Sequence, residues 1–173
     1  DELTFPEGNP LAGMQTKKMS KTDIATTTNN PGNIIYRPVF SKLFGATDSG
    51  IKQKDGSGTF AAFPDLSTGV QAYQTQLFGD TDGIMKSNYY KKDTTVNDAL
   101  KKWSNGGYDG SIYPEVKNKK LGELTMDERK QLTMRQFKHE SGDMFRILQQ
   151  RGIATLVCVA ANTFVVTGAG IIP

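Results

Sequence analysis

The chain has 173 residues, of which 36% are hydrophobic and 18 are glycines. This composition is ordinary for a soluble protein with one domain, and it excludes global disorder, a collagen-like chain and a polytopic membrane protein. Lys and Arg number 21 against 18 Asp and Glu. This small excess gives no argument for binding nucleic acid, but it is compatible with a polyanionic partner of another kind.

The chain contains a single cysteine, Cys158, and a single histidine, His139. One cysteine forms no internal disulfide, and the two residues together are too few for a structural zinc site. Cys158 stands in the apolar run 153–159, where a thiol is normally inert packing, which disfavours a Cys–His nucleophilic pair. We therefore expect no metal and no cofactor.

The front of the chain divides into two segments before the first strong helical pattern. Residues 1–28 contain two prolines and a basic patch with little periodicity, and we expect them to form an N-terminal arm. They lack the basic start and apolar core of a secretory signal. Residues 29–64 are rich in Gly, Asn, Pro and Ser, which predicts loops with short strands or turns. They begin the expected domain, residues 29–151.

Two helices are predicted in the middle of the chain. The first begins after Asp65 or Ser67 and runs to about residue 77, with Gly79 as its stop signal. The second begins after Asp93 or Thr94 and carries apolar residues at helical spacing through 103. The loop that follows contains a basic cluster of Lys117, Lys119 and Lys120 that is suited to anionic groups.

The clearest helix start is TMDE at residues 125–128, a capping box in which Thr125 and Glu128 bond each other's backbone N–H groups. The helix should run to about His139 or Glu140, where the Ser141-Gly142 pair interrupts it. A carboxyl at this end can point into a cleft, and apolar neighbours would raise its pKa toward the value that a general acid needs. An ordinary helix-end Glu is the other interpretation of the pattern.

The C-terminal segment, 152–173, is different in kind, because every Lys, Arg, Asp and Glu lies at or before Arg151. As a helix its 22 residues would be roughly 33 Å long, about one hydrocarbon thickness. Thr155, Asn162, Thr163 and Thr167 fit a lipid-facing helix only moderately. The segment is therefore either a buried helix or strand pair of the domain, or a membrane anchor.

Motifs in the first half of the domain resemble those of a known family. The run NNPGNI occupies residues 29–34, GTFAAFPD occupies 58–65, and Gly69 completes the pattern GxFxxFxxxxxG. Both resemble segments of phage-associated lytic transglycosylase-like proteins. This resemblance implies a lysozyme-like fold that is mainly α, with a small strand or loop element beside the helices.

Motifs in the second half extend this resemblance to about residue 145. WSNGG at 103–107, with Tyr113 and Val116, resembles the family segment AYNxG…YxxxV, and HESG at 139–142 resembles its catalytic Glu-Ser. Two departures stand out. Glu140 follows the Asn-Pro and glycine-rich motifs instead of preceding them, which implies a circularly permuted order, and Trp103-Ser104 replaces Ala-Tyr.

The resemblance implies cleavage of the bond between N-acetylmuramic acid and N-acetylglucosamine in peptidoglycan. Glu140 would be the catalytic residue, acting first as acid and then as base, so that no second carboxylate is required. Five further residues are expected to contact or orient the sugar: Ser141, Asn33, Asn105, Tyr108 and Tyr113. Trp103 is expected in the core, since aromatic residues at helical spacing are more often buried.

The expected setting is a virion-associated phage enzyme that acts on the bacterial wall or in the periplasm. Its partners would be glycan strands, other virion proteins and, through 152–173, a membrane, with no role for nucleic acid. Two other classes remain open: a non-catalytic virion or tail structural protein, and a glycan-binding module with the same fold. A hydrolytic muramidase is a variant of the enzymatic hypothesis.

Overall fold

Helices dominate the part of the chain that the structure describes. The structure is a computed structural model, and it describes residues 2–3, 17–79, 89–144, 146, 155–160 and 163–167. The α-helices are α1 (Lys21–Thr28), α2 (Pro38–Phe44), α3 (Leu66–Phe78), α4 (Val96–Trp103) and α5 (Met126–Ser141). The strands are β1 (Glu2–Leu3), β2 (Lys17–Lys18), β3 (Thr47–Lys52), β4 (Thr59–Ala62), β5 (Thr155–Ala160) and β6 (Thr163–Thr167). The predicted mainly helical class with a small strand element is confirmed.

The three predicted helices form where their local signals place them. Asp65 caps α3 by accepting a hydrogen bond from the backbone N–H of Thr68 at 2.7 Å. The cap of α4 is Thr95, one residue later than expected. The capping box of α5 is complete, since Thr125 accepts from the N–H of Glu128 at 3.1 Å and Glu128 accepts from the N–H of Thr125 at 2.9 Å.

The prediction of loops and short strands for 29–64 is correct for the β3–β4 hairpin and misses α2. This short helix begins at Pro38, follows extended backbone at Arg37 and ends at Gly45, whose φ is +66°. No side chain caps its start. With seven residues and no cap, α2 is stabilised by packing, mainly through the fully buried ring of Phe40, and not by a local sequence signal.

Strands β3 and β4 form an antiparallel hairpin whose turn covers residues 53–58. Thr47 pairs with Ala62 and Lys52 with Thr59, and the register shifts between them. The turn is closed by the N–H of Gln53, which donates to the Gly58 carbonyl at 2.8 Å. The strand pairing and this bond therefore fix both ends of the 53–58 turn.

Tyr73 on α3 lies at the centre of the core. Its ring centroid is 4.7 Å from that of Phe137 on α5 and 5.2 Å from that of Trp103 on α4. Its buried hydroxyl donates to the Gln136 side-chain oxygen at 2.7 Å. Three helices therefore meet around one side chain, which fixes the end of α4 against α5.

The turn at 29–33 is part of the core as well. The Asn30 side chain is fully buried, donates to the carbonyls of Ile34 and Ala61 at 2.9 Å each, and accepts from the N–H of Ile34. Asn33 adopts a left-handed backbone conformation with φ +52°. Asn30 therefore has the structural role typical of turn chemistry, and it joins this turn to β4.

The described residues of the C-terminal segment form antiparallel strands, one of the forms that the sequence left open. Thr155 pairs with Thr167, and the pairing continues to Ala160 opposite Thr163. Helix is therefore wrong for the described part of 152–173, and the strand pair is the form observed. Residues 155–160 are largely β-branched or small and apolar, which suits a strand. Within the residues described, no helix has the length and apolar character needed to cross a bilayer.

We expect Gly69→Ala to destabilise the fold, although alanine normally stabilises a helix. A Cβ at this position of α3 would collide with the carbonyl oxygen of Asn29, and backbone cannot move aside cheaply. The free energy of unfolding should fall by about 2 kcal/mol. Urea denaturation measures the effect, with the partly exposed Gln71→Ala on the same helix as the matched control. Equal stability of the two variants would contradict this close approach.

Candidate active site

A cleft of about 860 Å³ opens at the C-terminal end of α5. It is lined by the start of α1, the segment from the 29–33 turn into α2, the 53–58 turn of the hairpin, and the end of α4. The residues along it include Lys21, Asn33, Asp55, Trp103 and Glu140. Its volume is typical of sites that hold small molecules or a few sugar units.

The end of α5 presents backbone carbonyls that have no partner within the helix, as every helix end does. The first two of these carbonyls, those of Lys138 and His139, accept hydrogen bonds from Gly142 and Lys21. The N–H of Gly142 donates to the carbonyl of Lys138 at 3.0 Å. The ammonium of Lys21 donates to the carbonyl of His139 at 3.1 Å.

The next two carbonyls are bonded by side chains from the front of the domain. The amide of Asn33 donates to the Glu140 carbonyl at 2.7 Å. The hydroxyl of Thr22 donates to the Ser141 carbonyl at 3.2 Å. Because residues more than a hundred positions away hold its backbone, Glu140 has a fixed place at the edge of the cleft.

The Glu140 residue is partly buried and lines the cleft. Burial raises its pKa to about 7, and the neighbouring Tyr108, Asn33 and Lys21 partly offset this rise. The Asn33 amide bonds the backbone oxygen of Glu140, so it acts on the carboxyl as a nearby dipole. A carboxyl of this kind is about half protonated near neutral pH, as a general acid requires.

Tyr108 lies behind the carboxyl. Its ring packs on the imidazole of His139 with the centroids 5.1 Å apart. Its hydroxyl is buried, and within the described part of the chain it has no partner at hydrogen-bond distance. Burial and the nearby Glu140 carboxyl raise the pKa of Tyr108, so its hydroxyl remains a donor at neutral pH. The Tyr108 hydroxyl is therefore near enough to lower the pKa of Glu140, and it is not engaged in a hydrogen bond with another group of the described residues.

The predicted sugar-contacting residues divide into two groups. Asn33 and Asn105 lie on the cleft with Glu140. Ser141, Tyr113 and Tyr108 are not among the residues that line the cleft. The Ser141 hydroxyl is buried and donates to the Phe137 carbonyl at 2.7 Å, because the next residue along a helix points about 100° away.

Tyr113 is also turned away from the cleft. Only 9% of its surface is exposed, and its ring lies under the guanidinium of Arg135 at 4.2 Å. The expectation that Tyr113 contacts the sugar is therefore wrong for this cleft.

Trp103 was expected in the core, but it also lines the cleft. Its indole N–H donates to the Gly32 carbonyl at 2.9 Å, and one part of its ring packs on Tyr73. The rest of the side chain is partly exposed. It stands where a sugar ring could stack, beside the buried Tyr90.

Asp55 is a second acidic residue on the cleft, and sequence reasoning missed it. It lies in the hairpin turn, where a hydrogen bond from the backbone N–H of Ser57 at 2.8 Å, the nearby Ser57 hydroxyl and a bond from the Asn105 amide at 3.4 Å lower its pKa. Asp55 is therefore ionised where Glu140 is half neutral. In the sequence it lies in the turn signal DGSG, which predicts only a turn.

The described residues contain no group of three His, Cys, Asp or Glu side chains that could hold a metal ion. No family model, no curated protein and no solved structure matches the chain. A function is therefore inferred from the geometry of the cleft. The cleft offers a carboxyl that is about half protonated near neutral pH, together with aromatic and amide groups, and this suits protonation of a leaving oxygen.

The raised pKa of Glu140 predicts a pH-dependent stability. Its ordinary value is 4.5, so the contribution of the neutral carboxyl is fully present below about pH 4.5 and lost as pH rises through about 7. Glu140→Gln has no proton to lose. Between about pH 4 and pH 8, its stability should rise relative to the wild type by about 3 kcal/mol.

Chemical denaturation across this pH range measures the difference, with Glu115→Gln as the matched control. Glu115 is exposed in the 3-10 turn Pro114–Val116, so its variant should follow the wild type at every pH. A Glu140→Gln difference that stays constant with pH would mean that the carboxyl is solvated.

Proposed function

We propose that the chain cleaves glycan strands of peptidoglycan between N-acetylmuramic acid and N-acetylglucosamine, with Glu140 as the catalytic residue. The observation that carries this proposal is a carboxyl at the end of α5, in the wall of a sugar-sized cleft, whose pKa burial raises to about 7. The lysozyme-like fold is part of the same proposal. A helix that ends in the acid and a hairpin on the other side of the groove support it.

The mechanism requires one acid. Glu140 gives its proton to the glycosidic oxygen as the bond to C1 of the muramic acid breaks. The carboxylate then takes the proton from the C6 hydroxyl of the same sugar, whose oxygen bonds to C1 and closes an anhydro ring. The carboxyl ends protonated, no water is consumed, and the two products together have the mass of the substrate.

Other groups on the cleft would support this chemistry. Trp103 and Tyr90 offer aromatic surface to a sugar ring, and the Asn105 amide can bond an acetamido or hydroxyl group. The buried Tyr108 hydroxyl can stabilise the carboxylate during the step in which Glu140 lacks a proton. Tyr108 would therefore serve as the tyrosine that the Ala-Tyr segment supplies in the resembled family.

The setting follows from the same resemblance. A virion-associated enzyme would open the wall for delivery of a phage genome, with 152–173 in contact with a membrane or with other virion proteins. A particle component without turnover and a glycan-binding module are the alternatives. Both would bind or assemble without releasing any glycan fragment, so product analysis separates them from the enzyme.

Glu140→Gln should abolish cleavage while leaving the fold and the cleft intact. Loss of general acid catalysis predicts a fall of at least about a hundredfold in the release of soluble fragments from purified cell walls. Glu115→Gln is the matched control and should keep wild-type activity. Mass spectrometry of the products should show fragments one water lighter than hydrolysed ones. An active Glu140→Gln, or an inactive wild type, would overturn the proposal.

Asp55 favours a second candidate, a hydrolytic muramidase, because a glycosidase that uses water normally needs a second carboxylate. Asp55→Asn distinguishes the two. In a transglycosylase it should keep at least about a tenth of the activity and the same anhydro product. In a muramidase it should lose at least about a hundredfold, and the wild-type products should contain the added water.

A further inference from the structure

The cleft carries an excess of positive charge. Four cationic side chains line it, Lys21, Arg37, Lys54 and Lys102, and all four belong to exposed residues. We call them the cationic rim. They face two acidic residues on the same cleft, Asp55 and the half-protonated Glu140.

Three of the four rim cations, Lys21, Arg37 and Lys102, contact uncharged partners. Lys102 lies over the ring of Tyr89 with its nitrogen 3.9 Å from the centroid, and the Arg37 guanidinium lies 5.0 Å from the centroid of Phe40. The ammonium of Lys21 bonds a backbone carbonyl. These contacts restrain the side chains without neutralising them, since no salt bridge of the described residues includes a rim residue.

The basic cluster noted in the sequence lies away from the cleft. Lys117, Lys119 and Lys120 are exposed and do not line the cleft, and Lys119 is paired with Glu128 at 2.8 Å. The positive charge available to a bound strand is therefore contributed by α1, the start of α2, the hairpin turn and the end of α4. It surrounds the groove in which the glycan would lie.

We propose that the cationic rim binds carboxylates borne by the glycan strand, so that the cleft selects anionic strands over neutral ones. This inference rests on the proposed function. The muramic acid of peptidoglycan carries a lactyl group, on which peptide stems with further carboxylates are built, whereas strands of N-acetylglucosamine alone are neutral. Cations around the groove add attraction that depends on this charge and weakens with salt.

The single tryptophan of the chain, Trp103, lies on the cleft and provides the readout. Its fluorescence is titrated in the Glu140→Gln background, where strands bind without being cut. The probes are soluble peptidoglycan strands in three forms: native, with all carboxylates converted to neutral methylamides, and with the stems removed by an amidase so that only lactyl carboxylates remain. The third form distinguishes stem from lactyl groups as the source of the charge.

Native strands should bind about fivefold more tightly than methylamide strands at low salt, and the ratio should approach one at about 0.5 M salt. In the double variant Lys54→Gln/Lys102→Gln the ratio at low salt should fall at least about twofold. The matched control Lys42→Gln/Lys117→Gln changes the same net charge away from the cleft and should leave the ratio unchanged. Both pairs are exposed, so all variants are expected to fold.

Two results would overturn the inference, and they differ in what they mean for the proposed function. If both strand forms bind equally and rim variants have no effect, the rim does not select charge, but cleavage by the wild type still supports the enzyme. If the wild type neither binds nor cuts any strand, the proposed function is wrong and the inference falls with it.

Discussion

The end of α5 depends on donors that lie far away in the sequence. A helix that ends inside a protein leaves backbone carbonyls that must find partners, and here three of the four donors are side chains, those of Lys21, Asn33 and Thr22. These contacts hold the first helix and the turn after it against the last turn of α5. The cleft exists because the two ends of the described domain are joined in this way, and Glu140 lies at the joint.

The same contacts set the electrostatics of Glu140. A helix C-terminus carries partial negative charge, and burial removes the water that would otherwise stabilise a carboxylate there. Lys21 brings positive charge to this end while it bonds the carbonyl of His139, so one side chain serves both the backbone and the carboxyl. The resulting pKa near 7 is a compromise between burial and these neighbours, and it costs stability at alkaline pH that a glutamine would not.

Features that depend on residues close together in the sequence were predictable, whereas features that depend on contacts between distant residues were not. Helices α3 and α5 were predictable because caps and apolar spacing act within a few residues. The place of Glu140 at a helix end was predictable for the same reason, but the orientation of Ser141 and Tyr113 was not, since motif adjacency does not fix the direction of a side chain. Asp55 and the rim cations belong to the cleft only through tertiary contacts, for which the sequence carries no local signal.

The helix end does not determine the motif order along the chain, in which Asn33 comes before Glu140. The carbonyls of α5 require donors at fixed positions in space, and a donor bonds equally well whether its residue precedes or follows the helix in the chain. Asn33 has two roles at one position. Its backbone adopts a left-handed conformation, which asparagine tolerates, and its side-chain amide donates to the Glu140 carbonyl at 2.7 Å. Glycine would keep the turn and lose the bond, and alanine would lose both, so an asparagine at this point of the NNPGN run is what the acid at the far end of the chain requires.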